Sequence, residues 1–220
     1  MNENQFRTPA MVEIEITSKC TLKCEVCART LDPNETFAKW KFGQIDIKAV
    51  EKILQQPSVV TMNYTGAYGD PIYHTKFIDI IKLTKQYGKK IHITTNGSYR
   101  TASWWESVAE VLTRKDSFQF SVDGLPHNNH LYRINSDWPS IETGMRILGK
   151  TDIFTEWKWI LFNYNENDVI EGYKLSRELG IKSFSVIGTQ RWPAGLKAQR
   201  PYDEVVEELK NYTESCKNEN

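Results

Sequence analysis

Six short β-branched segments, each followed by a helical pattern, limit what this chain can fold into more than any other feature. The segments cover 11–17, 59–65, 90–95, 118–123, 156–162 and 182–188. Helical patterns fall near 44–56, 75–87, 101–113, 138–149, 166–179 and 202–215. Phe77, Ile78, Ile80, Ile81 and Leu83 carry the helical spacing in the second. Asn165 stands where a cap of the fifth helix belongs, and Gly88 and Gly180 stand where the second and fifth helices should close. Strand–helix alternation repeated six times predicts parallel strands joined by right-handed crossovers. A doubly wound sheet and a barrel both satisfy that.

The strand residues help to choose. Successive side chains of a strand point to opposite faces. One parity is polar in strand after strand: Glu13, Glu15 and Thr17; Thr61, Asn63 and Thr65; His92, Thr94 and Asn96; Gln119, Ser121 and Asp123; Ser183 and Ser185. The other is apolar: Val12, Ile14 and Ile16; Val60 and Met62; Ile91 and Ile93; Phe118, Phe120 and Val122; Phe184 and Val186. Strands covered by helices on both faces would read as continuous apolar runs. The expectation is therefore an α/β fold whose curved sheet packs helices outside and encloses a hydrated interior. An open sheet with one solvated face is the alternative.

Composition bounds the function. A chain of 220 residues suits one domain with a real core. Lys and Arg number 28 and so do Asp and Glu, which gives no basis for a nucleic-acid surface or an anionic-membrane surface. No apolar run approaches the roughly 18 residues needed to span a bilayer, and the polar N-terminus lacks the pattern of a secretory signal. The expectation is therefore a cytoplasmic chain, in a compartment where disulfides are rare. Its four cysteines are then expected to be ligands, nucleophiles or core residues.

Three of them, Cys20, Cys24 and Cys27, form C-x3-C-x2-C directly after the first strand; Cys216 lies in the polar tail. Soft thiolates at this spacing bind zinc or iron–sulfur clusters. A structural zinc site wants four protein ligands, and the next histidine, His74, is far along the chain. A [4Fe–4S] cluster normally takes four cysteines, so three would leave one iron open. A non-catalytic zinc or iron–sulfur binding module stays possible on these residues alone.

The run EIEITSKCTLKCEVCARTLDP resembles the signature of the radical S-adenosylmethionine (SAM) superfamily. The resemblance implies a partial (β/α)6 barrel over 11–192, with 1–10 as an extension and 193–220 as a C-terminal helix and tail. It implies that Cys20, Cys24 and Cys27 hold three irons of a [4Fe–4S] cluster and that SAM chelates the fourth. Electron transfer from a donor such as flavodoxin or ferredoxin would cleave SAM to a 5′-deoxyadenosyl radical that abstracts hydrogen from substrate. Val26 stands where many members have an aromatic residue.

Further segments resemble SAM contacts of the family. The stretch Gly66, Ala67, Tyr68, Gly69, Asp70 is similar to its glycine-rich segment, with Asp70 in place of the commoner glutamate. Thr94 and Asn96 match a "TNG" motif whose plain role would be a turn. Ser121 and Asp123 would flank the ribose, Arg133 would meet the methionine carboxylate, and Gln190 lies where relatives contact adenine. Cysteines for an auxiliary-cluster domain are absent from the sequence.

The substrate side is read from strand parity. Glu13, Glu15, Asn63, His92 and Lys158 are the candidates. Lys158 is expected to pair with Glu13 or Glu15 if it faces inward, or that pair binds a polar substrate. His92 could relay protons or be a hydrogen-bonded structural residue. Trp104, Trp105, Trp157 and Trp159 are expected in the core, whereas Trp40 and Trp192 lie in loops. The short tail suggests a large substrate, a peptide or partner protein, that completes the site. Enzymes of small heterocycles such as deazapurines, and glycyl-radical activases, are the alternatives within the family.

Overall fold

The computed structural model describes residues 10–31 and 43–218. Trp40 and nearly all of the proposed N-terminal extension lie outside them. Six strands form one parallel sheet in chain order: β1 (Met11–Ile14), β2 (Thr61–Tyr64), β3 (Lys90–Thr95), β4 (Ser117–Ser121), β5 (Phe154–Ile160) and β6 (Ser183–Ile187). The sheet does not close, because β1 and β6 remain its two edges. It is the partial barrel that the resemblance implies, and the strand parity fits its lumen.

The helices are α1 (Ala28–Leu31), α2 (Ile47–Leu54), α3 (Phe77–Gln86), α4 (Ala102–Val111), α5 (Trp138–Gly149), α6 (Val169–Glu178) and α7 (Tyr202–Asn218). Local chemistry sets their ends. The Asp46 carboxylate accepts from Lys48 N at 2.8 Å at the start of α2, and Thr101 caps α4 through Trp104 N. Gly88 and Gly180 have φ of 69° and 79° just past α3 and α6, the left-handed turn that closes a helix. Asn165 does not cap α6, whose N-cap is Asp168. Its side chain instead binds Phe162 N, Asp123 O and Ile160 O, tying the ends of β4 and β5 together.

Register carries the parity around the sheet. His92 faces Ser117, Thr94 faces Gln119, Gln119 faces Glu156, and Ser121 faces Lys158, which in turn faces Ser185. These side chains line the lumen. The opposite face holds the core, where Trp105, Phe118, Phe120, Trp157 and Trp159 are fully buried. Trp157 donates from Nε1 to Val122 O at 2.9 Å, so its polar atom is not wasted by burial. Full burial of each such aromatic contributes about 1.5–3 kcal/mol. That outer core holds the strand ends in place, and the functional residues sit on the loops that follow them. No helix among the described residues is long and apolar enough to cross a membrane.

Candidate functional site

The chain leaves β1 and turns at once into the cysteine loop. Lys23 N donates to Ile134 O at 3.0 Å and Asn135 Nδ2 to Thr21 O at 2.8 Å, so the loop is backed by the segment that carries Arg133. Thr30 N and Leu31 N both donate to Cys27 O, which starts the single turn of α1. The Arg29 guanidinium reaches back to Cys20 O. Leu22, Cys24, Tyr132 and Phe162 form a second apolar cluster, with Cys20, Val26, Cys27, Ile160 and Trp192 packed against it. Burial pushes the Cys20 thiol up to about 12, with the nearby Asp70 carboxylate adding to it. Burial also raises Cys24, against the pull of Arg133. Burial thus favours the neutral Cys20 and Cys24 thiols without a metal, and coordination itself would deprotonate them.

All three cysteines line one cavity of about 250 Å³. Its other walls include Gly66, Ala67, Tyr68, Gly69, Asp70, Thr94, Asn96, Ser121 and Arg133. The glycine segment is locked from two sides to the chain that follows β1. Glu15 Oε2 accepts from Tyr68 N at 3.0 Å, and Asp70 N donates to Lys19 O. A Cβ on Gly69 would lie 1.9 Å from Thr17 O, so only glycine lets the two backbones approach this closely. Cys27 Sγ donates to Ala67 O at 3.4 Å, which turns that carbonyl toward the thiols.

Asp70 turns its carboxylate into the wall of the cavity. It is buried, and its oxygens accept from Ile72 N, Thr95 Oγ1, Asn96 N and Asn96 Nδ2. Burial raises its carboxyl to about 6 despite those donors. It organises the wall rather than presenting a free oxygen. Asn96 carries the effect to the thiols, because its Nδ2 also reaches Cys20 Sγ at 3.7 Å.

A second cavity of about 510 Å³ lies in the lumen. It is lined by Glu13, Asn63, His92, Gln119, Asp123 and Lys158, and it shares Thr65, Gly66, Thr94, Ser121, Arg133, Ile160 and Arg191 with the first. Asp123 and Arg133 form the joint. Arg133 Nε donates to Asp123 Oδ2 at 2.6 Å, and Asp123 Oδ1 accepts from Ile160 N at 2.7 Å. Burial works against the charge on both. The Asp123 carboxylate nevertheless holds the guanidinium above its usual range, while burial keeps the Asp123 carboxyl raised.

The structure thus brings together every proposed SAM contact except Gln190, which is exposed and lines neither cavity; Arg191 lines both. Of the proposed substrate residues, Glu15 is taken up by the Tyr68 amide. His92 contacts Ser117 Oγ at 2.6 Å and Thr94 Oγ1 at 3.3 Å, the structural alternative for this residue, and burial lowers its imidazole. Lys158 faces the lumen but pairs with neither Glu13 nor Glu15: Glu13 Oε2 instead accepts from Asn63 Nδ2 at 3.0 Å. Tyr132 and Ile160 were not among the sequence candidates, whereas Arg191 lies in the segment 189–192 that supplied Gln190. Only the adjacency of Tyr132 to Arg133 could have pointed to the first.

The donor set is three soft thiols on one cavity, the ligand chemistry of an iron–sulfur cluster. Among the described residues no three His, Cys, Asp or Glu side chains are grouped so as to hold one metal ion.

Comparison with known proteins agrees with this geometry. The pattern of the Radical SAM superfamily matches residues 14–190. The chain is 33% identical over 116 residues, 51% of its length and 30% of the relative's, to the tungsten-containing aldehyde ferredoxin oxidoreductase cofactor-modifying protein of Pyrococcus furiosus. It is 25% identical over 190 residues, 83% of this chain and 40% of the other, to the antilisterial bacteriocin subtilosin biosynthesis protein AlbA of Bacillus subtilis. Among solved structures it superposes on Streptococcus suis SuiB bound to its precursor peptide SuiA with a TM-score of 0.72 at 17% identity, covering 96% of this chain and 47% of SuiB. The chain spans less than half the length of these proteins.

Proposed function

The chain belongs to the radical SAM superfamily, and on that premise we propose that it is a radical-generating enzyme acting on a peptide or protein substrate. A [4Fe–4S] cluster with SAM, the cofactors characteristic of the family, would supply reductive cleavage of a carbon–sulfur bond and a 5′-deoxyadenosyl radical that takes hydrogen from substrate.

Everything else falls to the residues of this chain. Cys20, Cys24 and Cys27 would hold three irons, and the apolar cluster of Leu22, Tyr132 and Phe162 would keep water from them. The strip Gly66, Ala67, Tyr68 offers backbone to the SAM amino group, and Arg133, fixed by Asp123, offers its guanidinium to a carboxylate. Thr94, Asn96 and Ser121 supply polar walls between the two cavities. Substrate would enter the lumen cavity, whose shared wall brings it against the SAM site. The likeness to SuiB, seen with its precursor peptide, supports a peptide. A one-electron donor such as flavodoxin or ferredoxin would reduce the cluster.

One observation carries the reading: three thiols and a glycine strip face each other across one cavity that opens onto a polar lumen. Anaerobic reconstitution tests it. The full chain is expected to take up about four irons and, with dithionite, to release 5′-deoxyadenosine from SAM. Cys24→Ala should lower both at least tenfold. A wild-type chain that binds no cluster, or a reduced cluster that leaves SAM intact, would refute the proposal.

A further inference from the structure

The charges that face the lumen are not evenly provided for. Its anions are engaged: Glu13 with Asn63 Nδ2, Glu156 with the Ser185 hydroxyl at 2.7 Å, and Asp123 with Arg133 and Ile160 N. Its cations are not. Arg133 is paired, but among the described residues the Lys158 ammonium and the Arg191 guanidinium make no hydrogen bond, ion pair or ring contact. Arg191 is exposed at the edge, where water serves it; Lys158 is half-buried in the sheet interior. The Asp123 carboxylate senses its charge but already spends its oxygens on Arg133 and Ile160 N, so the Lys158 ammonium has no hydrogen-bonded counter-ion of its own.

We propose that Lys158 anchors a substrate carboxylate, which makes the substrate a peptide with an acidic side chain beside the position that reacts. The inference rests on the reading above that the lumen takes substrate. Register fixes the location. Lys158 lies between Ser121 and Ser185 on neighbouring strands, and Ser121 lines both cavities. Adjacent strands are ~4.8 Å apart, so a group held at Lys158 lies within one residue's reach of the thiol cavity. Ile160 and Ile187, one register step nearer the strand ends, give the lumen cavity an apolar rim. An ion pair formed beneath such a rim is screened less than one on the surface. A cationic substrate group would meet Lys158 and, at the edge, Arg191; repulsion then adds to specificity.

The test uses the reconstituted, SAM-loaded chain and four pentapeptide probes. Three are capped at both ends, with glutamate, glutamine or lysine at the centre of four glycines; the fourth is acetylated pentaglycine with a free C-terminus. Equilibrium binding is expected to favour the glutamate probe over the glutamine probe at least tenfold. Lys158→Met should erase that preference, Lys158→Arg should keep it, and Lys158→Glu should shift it to a probe with central lysine. Equal binding of the glutamate and glutamine probes by the wild type would overturn the proposal, as would a preference that survives in Lys158→Met. Tighter binding of the free-acid pentaglycine would overturn the side-chain assignment in favour of a terminal carboxylate. A tenfold loss of SAM affinity in Lys158→Met would assign the ammonium to the cofactor instead. Iron content and 5′-deoxyadenosine release are measured on the same wild-type preparation. Their absence defeats the radical SAM reading; their presence without a peptide preference defeats only the role of Lys158.

Discussion

At the N-terminal end of the strands, Asp116 is buried against Lys85; at the C-terminal end, Asp123 is buried against Arg133. The distances are close, 2.7 Å and 2.6 Å, and both carboxylates are inaccessible. Their remaining partners differ. Asp116 accepts from Ile91 N, Thr113 N and Thr113 Oγ1, so it ties α3, the start of β3 and the loop after α4 into one corner. It lines neither cavity. Asp123 fixes an arginine that lines both cavities and stands beside Cys24. One device thus serves stability at one end of the barrel and the site at the other, as the layout of parallel β/α barrels predicts.

Breaking the upper pair should have the larger effect. Asp123→Ala leaves a buried guanidinium without its counter-ion, which typically costs about 3–5 kcal/mol. It also frees Arg133 from the wall of the SAM site. We expect SAM-dependent release of 5′-deoxyadenosine to fall at least a hundredfold. Asp123→Asn can still accept from Ile160 N, and it should fold yet bind SAM at least tenfold more weakly. If SAM affinity in Asp123→Asn equals that of the wild type, the upper pair is only structural and the contrast between the two ends fails.

Breaking the lower pair should move stability alone. Asp116→Ala is expected to cost about 3–5 kcal/mol. For a chain of this size that lowers Tm by ~6–20 °C. Iron per folded chain and SAM affinity, measured below the new transition, should stay within about twofold of the wild type. A loss of cluster in the folded fraction would show that the two ends are coupled.

The sequence made the two ends unequally legible, for physical reasons. Parity located the strands and the lumen because one face must be apolar to hold helices. It overran the C-terminal ends of β1, β4 and β5. The strand-like pattern continues there, to Thr17, Asp123 and Phe162, after the ladder has stopped. Those residues bond to loops instead: Asp123 N to Asn129 Oδ1, and Phe162 N to Asn165 Oδ1. Asn165 was misread for the same reason, since a polar residue shortly before a helix looks alike whether it caps the helix or closes a loop. The cysteine spacing and the glycine strip are local, and both could be read directly. The Asp70 and Lys158 pairings depend on which distant groups arrive, and residue type cannot reveal that. Asp116 offered no signal at all beyond an acidic residue in a polar turn.

Removing the cation rather than the anion at the lower end should have a smaller effect, and the reason lies in the donors that stay behind. Lys85→Met takes away one ammonium that bonds both Asp116 oxygens, at 2.9 and 2.7 Å. Asp116 then still holds Ile91 N at 2.8 Å on one oxygen, and Thr113 N and Oγ1 on the other. Its charge remains solvated by fixed N–H and O–H dipoles, so the full penalty of an orphaned buried ion does not apply. Lys85 itself is about a quarter exposed, with a side chain 23% accessible, and the Met side chain can keep its aliphatic packing. The cost should be about 1.5–3 kcal/mol, the net worth of a charged hydrogen bond, or ~3–12 °C in Tm. A loss as large as that of Asp116→Ala would mean that the ammonium, not the backbone donors, supports the buried carboxylate. The lower pair would then be a true counterpart of Asp123 and Arg133.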